Sequence, residues 1–168
     1  MGNNISDKET RDLNEHLRFE TLIGELSSEL INIPLESIDA AIESSLKKLV
    51  DFFDVDRCHL GKLSSDESNI IIPFFYSRPN LNIPQITEVG EHYLSFVYES
   101  IKNDKLIAFS KSSELPSDAK KDREVIDKMG LKSLLILPVK IDNVVKYGFS
   151  LSTVTKNLSW EKQTSIFL

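Results

Sequence analysis

Apolar residues recur at spacings of three and four through the first third of the chain, then give way to short apolar runs. Phe19, Leu22, Ile23, Leu26, Leu30 and Ile33 predict a helix over Asp7–Asn32. Pro34 ends it, because the residue before proline is pushed out of the α region. A second helix is predicted from Ser37 to Phe53, with Ile38, Ile42, Leu46, Leu49, Val50 and Phe53 as its buried stripe. Strands follow at Arg57–Leu63 and Asn69–Tyr76, joined by the polar turn Ser64–Ser68. Pro73 has no N–H to donate and so places the second strand at a sheet edge or marks a bulge. Ser77–Thr87 reads as a loop, Gly90–Asn103 as a third helix, and Leu106–Ser110 as a short strand. Ser117–Met129 is a charged helix closed by Gly130, a residue suited to a left-handed C-terminal cap. Leu131–Ile141 and Val144–Val154 form a hairpin turning at Asp142–Asn143, and its LLILPV run suits a strand covered on both faces. Ser159 opens a last helix at Trp160–Glu161, of which about ten residues precede the end of the sequence.

The order α-α-β-β-α-β-α-β-β-α makes this an α/β (α+β) chain with five or six strands in an antiparallel-rich sheet. Helices from both ends of the sequence can cover one face. The middle helices and loops can cover the other, and an irregular layer of that kind favours a cavity beneath it. A helix of 26 residues extends roughly 39 Å, more than a domain of this size can cover. Its first turns are therefore expected to project, leaving Leu13 and Leu17 in want of a partner such as a second copy. Phe19, Leu22 and Leu26 fit a heptad but Glu29 falls on the next seam position, so a short helix contact fits better than a long coiled coil. Residues 1–12 are read as a flexible segment or linker and 13–168 as one domain.

Composition narrows the function classes. The 168 residues are one domain's worth, and 40% hydrophobic with 27% charged is ordinary globular composition. A net charge of −6 argues against general nucleic-acid binding, which needs a basic surface. No apolar run reaches the ~18 residues of a membrane span. The one cysteine, Cys58, excludes an internal disulfide and any multi-cysteine zinc site. No phosphate-cradling glycine pattern occurs among the six glycines. His16, His59 and His92 are too scattered to suggest a nucleophilic triad, and no His or carboxylate pair has zinc-like spacing. The opening Met1-Gly2-Asn3-Asn4-Ile5-Ser6 fits a myristoylation pattern, which is coincidence if the chain is bacterial. No catalytic or metal-ligating residue is assigned, and no cofactor is identified.

Four stretches carry a resemblance. They are LRFETLIGELSSELINIP over Leu17–Pro34; Asp56-Arg57-Cys58; Leu115-Pro116 with Asp122-Arg123-Glu124, Gly130, Ser133-Leu134-Leu135 and Pro138-Val139; and Tyr147-Gly148-Phe149 with Leu158-Ser159-Trp160. In this order they resemble GAF domains of the subgroup found in bacterial sensor histidine kinases and related two-component and enhancer-dependent regulators. The resemblance covers about Leu13 to Leu168. It implies a GAF-like (profilin-like) fold: a six-stranded antiparallel sheet with the terminal helices on one face and a ligand pocket on the other. It also implies a cytoplasmic, regulatory module without chemistry of its own. Such a module binds a small molecule, forms a homodimer through its terminal helices, and feeds a downstream kinase or ATPase module; the alternative is a ligand-free dimerisation spacer. Two departures stand out. Phe96 occupies a place where many relatives carry Trp, and the last helix is cut short as in a fragment of something longer.

The resemblance frames the remaining chemistry. Cys58-His59 matches the bilin-attachment dipeptide of phytochrome-like GAF domains, but it lies in the first strand, where a buried apolar thiol is the better reading. Methionine sulfoxide reduction on this fold needs a second, resolving cysteine. The Asn-Lys, Phe and Asp-Glu signature of cyclic-nucleotide GAF domains is absent. Arg123 is read as a brace for its loop. The pocket candidates are Phe74 and Tyr76 on the second strand, Tyr93, Phe96 and Val97 around the third helix, and Phe109 on the next strand. Arg78 is a candidate for holding an anion at the mouth, against the plainer reading of a solvated loop residue. For the aromatics, pocket lining and filled core stand as alternatives.

Overall fold

The computed structural model describes residues 3–161 apart from 32, 80, 82 and 83. Helices α1 (Asn3–Leu30) and α2 (Ile38–Phe53) lead into strands β1 (Arg57–Leu63), β2 (Asn69–Ser77) and β3 (Glu88–Gly90). Helix α3 (Ser95–Lys102), strand β4 (Ile107–Phe109), helix α4 (Lys120–Lys128) and the hairpin β5 (Ser133–Ile141) and β6 (Val144–Thr153) complete the order. All strand pairs are antiparallel in one sheet of order β3-β2-β1-β6-β5-β4. The expected α/β (α+β) architecture is thus present with six strands.

Local chemistry sets the boundaries. Asp54, at φ 50°, ends α2 in the left-handed region, and Gly130, at φ 67°, does the same after α4. Asp142 and Asn143 both take positive φ, as a two-residue hairpin turn with the twist of its strands requires. Three boundaries differ from expectation. Helix α1 starts at Asn3, four residues before the expected Asp7. Strand β3 follows directly on the expected loop Ser77–Thr87 and takes Gly90, where the third helix is expected to begin, and α3 starts only at Ser95. A strand of three residues is too short to carry a period. Glu161 is helical, and the rest of the expected last helix lies outside the described residues.

The sheet separates two cores. On one face Leu46, Val50 and Phe53 of α2 pack with Val55, Cys58, Leu135, Leu151 and Trp160. Phe19 of α1 joins them through Phe52 and Phe53, at ring-centroid distances of 5.8 and 6.0 Å. On the other face Val97, Tyr98 and Ile101 of α3 and Ile126 of α4 pack on Ile70, Ile107, Phe109, Leu134 and Ile136. Helix α1 touches the domain through Leu22 and Leu26, while Leu13 and Leu17 remain 70% and 60% exposed. The unusual length of α1 therefore serves something other than this core.

Pro73 meets both conditions set by its missing donor. It sits where the β1–β2 register shifts between Leu60 and Lys62, and beyond the Asn69–Ile71 stretch that pairs with β3. The shift inverts the faces of β2. Ile70 and Ile72 lie on the α3/α4 side, whereas Phe74 and Tyr76 lie on the α1/α2 side.

Asp56 ties the start of β1 to the chain after β6. Its Oδ2 accepts hydrogen bonds from the N–H groups of Val154 and Thr155 (2.7 and 2.9 Å) and from Thr155 Oγ1 (2.7 Å). Burial alone would raise its pKa, but these donors outweigh it and hold the carboxyl below its ordinary value. Asp56→Ala leaves three donors without an acceptor, and we expect a loss of about 3 kcal/mol in urea unfolding. Asp56→Asn, which keeps one acceptor, is expected to lose less.

Candidate functional site

Strands β1 and β6 pair residue for residue: Arg57 faces Ser152, His59 faces Ser150, and Gly61 faces Gly148. Alternation puts these six on the α3/α4 side, while Cys58, Leu60, Phe149 and Leu151 between them face the helical core. One face of the strand pair thus runs from a guanidinium through an imidazole to two bare backbones. Above it lies a cavity of about 60 Å³, closed by Ile86 and Val89 from the β2–β3 side, Leu94 and Val97 around the start of α3, and Ile126 and Met129 of the α4 region. A second cavity of about 40 Å³ adjoins it over Gly61 and Gly148 and is walled by Ile70 and Ile101. A more open cleft of about 460 Å³ lies outside, between Asn69, Gln85, Glu88, His92 and Tyr93, and Ile86 borders both it and the inner cavity.

The polar floor is buried and incompletely paired. Arg57 is 1% exposed, and its Nη1 donates to the Pro84 carbonyl at 3.0 Å. Among the described residues its Nε and Nη2 have no hydrogen-bond partner, and neither have His59 Nε2 and Ser152 Oγ. Among the described residues five buried side-chain polar atoms lack a partner, and these four line one cavity. That clustering marks a site rather than scattered packing faults. Burial pulls the Arg57 pKa down to about 10 against the opposing pull of Asp56, so the group stays charged at neutral pH. Burial, helped by the Arg57 charge, pulls His59 down to about 3, so its imidazole is neutral. His59 Nδ1 lies 3.2 Å from Ser150 Oγ, and Phe75 stacks on the ring at 6.3 Å.

Other elements hold this floor in place. Asp122, from α4, accepts from the Val97 N–H (3.0 Å) and Ser95 Oγ (3.4 Å), supplying the α3 N-terminus with the acceptor that Leu94 cannot. Arg123 donates to the carbonyls of Leu115 (2.5 Å) and Pro116 (3.4 Å), bracing the segment before α4.

The residues singled out from sequence are distributed unevenly. Val97 lines both inner cavities and Tyr93 lines the outer cleft, where its hydroxyl reaches Met129 Sδ at 3.6 Å. Phe96 and Phe109 belong to the hydrophobic cluster on that side but are not among the cavity-lining residues. Phe74 and Tyr76 pack on the opposite face, put there by the register shift at Pro73. Arg78 is not at the pocket mouth. It donates to the Val55 and Val50 carbonyls at 2.8 and 3.4 Å and pairs with Asp51 at 3.2 Å, capping the C-terminal end of α2. Sequence reasoning missed Arg57, His59, Ser150 and Ser152. Their signal was present: polar residues at alternate positions of two strands whose intervening residues are apolar.

Cys58 is fully buried on the helical side, and burial pushes its thiol pKa well above the ordinary value. It is neither reactive nor aimed at the cavity. Among the described residues no three His, Cys, Asp or Glu side chains gather as a metal site.

No family profile and no curated protein matches the chain. Solved structures do match. The phycocyanobilin-bound GAF domain from a cyanobacterial phytochrome is 11% identical with a TM-score of 0.70, over 88% of this chain and 86% of that one. The fold is that of a GAF domain. The GAF domain from Acinetobacter phosphoenolpyruvate-protein phosphotransferase is 12% identical with a TM-score of 0.60, over 94% of this chain and 85% of that one. The GAF domain region of a putative membrane protein from Geobacter sulfurreducens PCA is 13% identical with a TM-score of 0.59, over 77% and 84%. Among the described residues no helix of this GAF fold is long and apolar enough to cross a membrane.

Because His59 is neutral when folded and titrates near 6.5 when unfolded, the unfolded chain binds the extra proton between those values. Stability is therefore expected to fall as pH drops below 6.5, by up to about 1.4 kcal/mol per pH unit from this one group. Urea unfolding between pH 6.5 and 4.5, above the range where Asp56 titrates, checks this, and His59→Gln is expected to flatten the slope.

Proposed function

We propose that this chain is a regulatory sensor module that binds a small molecule in the cavity over Arg57 and His59 and relays its presence to the terminal helices. The carrying observation is that β1 and β6 serve both layers. Residues that would touch a ligand alternate with Cys58, Leu60, Phe149 and Leu151, which pack against α2 and its neighbours. A ligand that shifts the strand pair also shifts the helical core, provided it prefers one of the two arrangements. Adjacent residues strengthen the link: Arg57 holds the loop at Pro84 while Asp56 holds Val154 and Thr155. The segment after β6 is further tied to β4, since Trp160 Nε1 donates to the Phe109 carbonyl at 2.9 Å.

The setting we propose is a cytoplasmic bacterial signalling protein, with a histidine kinase or related ATPase module as output. The likeness to GAF domains in larger regulatory chains supports this setting, and no catalysis is assigned to the chain itself.

Trp160 is the one tryptophan and is buried on the helical side, away from the cavity. It therefore reports the relay. A thermal-shift screen of metabolites is expected to find a compound that stabilises the fold, with Trp160 emission changing at the same half-saturation. At a hundred times Kd the gain is about 2.7 kcal/mol, or roughly 5–10 °C for a domain of this size. A melting shift with silent Trp160 would remove the relay.

A second reading, a ligand-free dimerisation spacer, is favoured by the exposed Leu13 and Leu17 on the projecting turns of α1. On that reading the double variant Leu13→Glu, Leu17→Glu turns a dimer into a monomer by light scattering without lowering Tm. No melting shift across the screen would leave this reading in possession.

A further inference from the structure

We propose that the cavity is built for a short-chain monocarboxylate of about three to five carbons, its carboxylate on Arg57 and its alkyl tail over Gly61 and Gly148. This names a ligand class for the sensor reading above and rests on it.

Three independent features select that chemistry. The first is the free edge of Arg57. Nη1 is spent on Pro84, which leaves Nε and Nη2, the side-on pair of guanidinium donors that matches the two oxygens of a carboxylate. No described carboxylate forms an ion pair with Arg57. Asp56 pulls on Arg57 electrostatically but forms no ion pair with it, so no described counter-ion sits on the free edge of this buried cation. Ser152 Oγ and His59 Nε2 add two more unpaired polar atoms on the same floor.

The second feature is charge. The site holds one cation, since the His59 imidazole beside it is neutral. One monoanion balances it, and a dianion would bring an uncompensated charge into a buried place.

The third feature is the gradient along the strands. Beyond His59 and Ser150 the floor becomes Gly61 and Gly148, and the walls become Ile70, Ile72, Ile101 and Ile136. The bare backbones let the apolar walls close in on the strands: a Cβ at Gly61 would lie 2.5 Å from Ile70 Cγ2, and one at Gly148 would lie 3.4 Å from Ile101 Cδ1. The two inner cavities, about 60 and 40 Å³, share His59, Ile72, Val97 and Ser150 in their walls. Together they offer room on the order of seven to ten water-sized groups. That admits a carboxylate with a short tail and excludes a nucleotide or tetrapyrrole. Sulfate and phosphate would leave the apolar end unused.

The test is thermal shift and calorimetry at pH 7 and fixed ionic strength, with acetate, butyrate, butyramide and sulfate as probes. We expect saturable stabilisation by butyrate, at least tenfold weaker effects from butyramide and sulfate, and loss of butyrate binding in Arg57→Gln. Arg57→Lys keeps the charge but not the fork and is expected to weaken butyrate about tenfold. Gly148→Ala fills the tail end and is expected to weaken butyrate at least tenfold while leaving acetate unchanged. Histidine ¹⁵N spectra of the unaltered protein need no variant: butyrate should move the His59 resonances and leave His16 and His92 in place. Equal binding of butyramide and butyrate overturns the proposal, as does butyrate binding retained in a folded Arg57→Gln. If a neutral compound binds and alters Trp160 emission, the sensor reading stands and the carboxylate assignment falls. If no compound in the wider screen shifts melting, both fall.

Discussion

The structure depends on a single constraint: β1 and β6 are one sheet thick, and the two-residue period of a strand gives alternate side chains to opposite layers. Every polar residue of the cavity floor therefore has an apolar neighbour in the helical core. Arg57 is followed by Cys58, His59 by Leu60, and Ser150 by Leu151. The two layers cannot be altered separately, because a shift of the backbone that suits one is imposed on the other. This couples the walls of a small cavity on one face to the helical core on the other.

The cavity floor also explains where the fold carries unspent polar capacity. A buried guanidinium loses hydration worth several kcal/mol unless its donors are paired. The three arginines near the sheet are treated differently. Arg78 uses its donors on carbonyls and acids at the end of α2, and Arg123 spends Nη2 on the carbonyls before α4. Arg57 alone keeps one whole edge of its fork turned to a cavity. Unspent capacity collected in one place is characteristic of binding sites, where local stability is given up for recognition.

Much of the fold was legible along the chain because its elements are long and strongly patterned. The stripe of α2, the apolar runs of β1, β2 and β5, the cap at Gly130 and the turn at Asp142–Asn143 all sit where local chemistry puts them. The site was far less legible. Reading β2 with an unbroken period of two assigns Phe74 and Tyr76 to the same face as Ile70 and Ile72. The irregularity at Pro73 reverses that assignment and turns Phe75 onto His59 instead. Arg78 and Arg57 are both arginines flanking strands, and only their neighbours in space distinguish a helix cap from a cavity floor.

The sequence by itself determined the periods, the breaks between them, and hence two helices, a sheet and a second irregular layer. Those are consequences of local sterics and of burying apolar stripes, which act over a few residues. Tertiary structure alone decided that Arg57, His59, Ser150 and Ser152 share one cavity, since the pairing of β1 with β6 joins residues about ninety positions apart. It also decided which of their donors remain unpaired. Hydrogen bonding is a matter of ångströms and angles, and no spacing along a chain specifies those until the strands are in register.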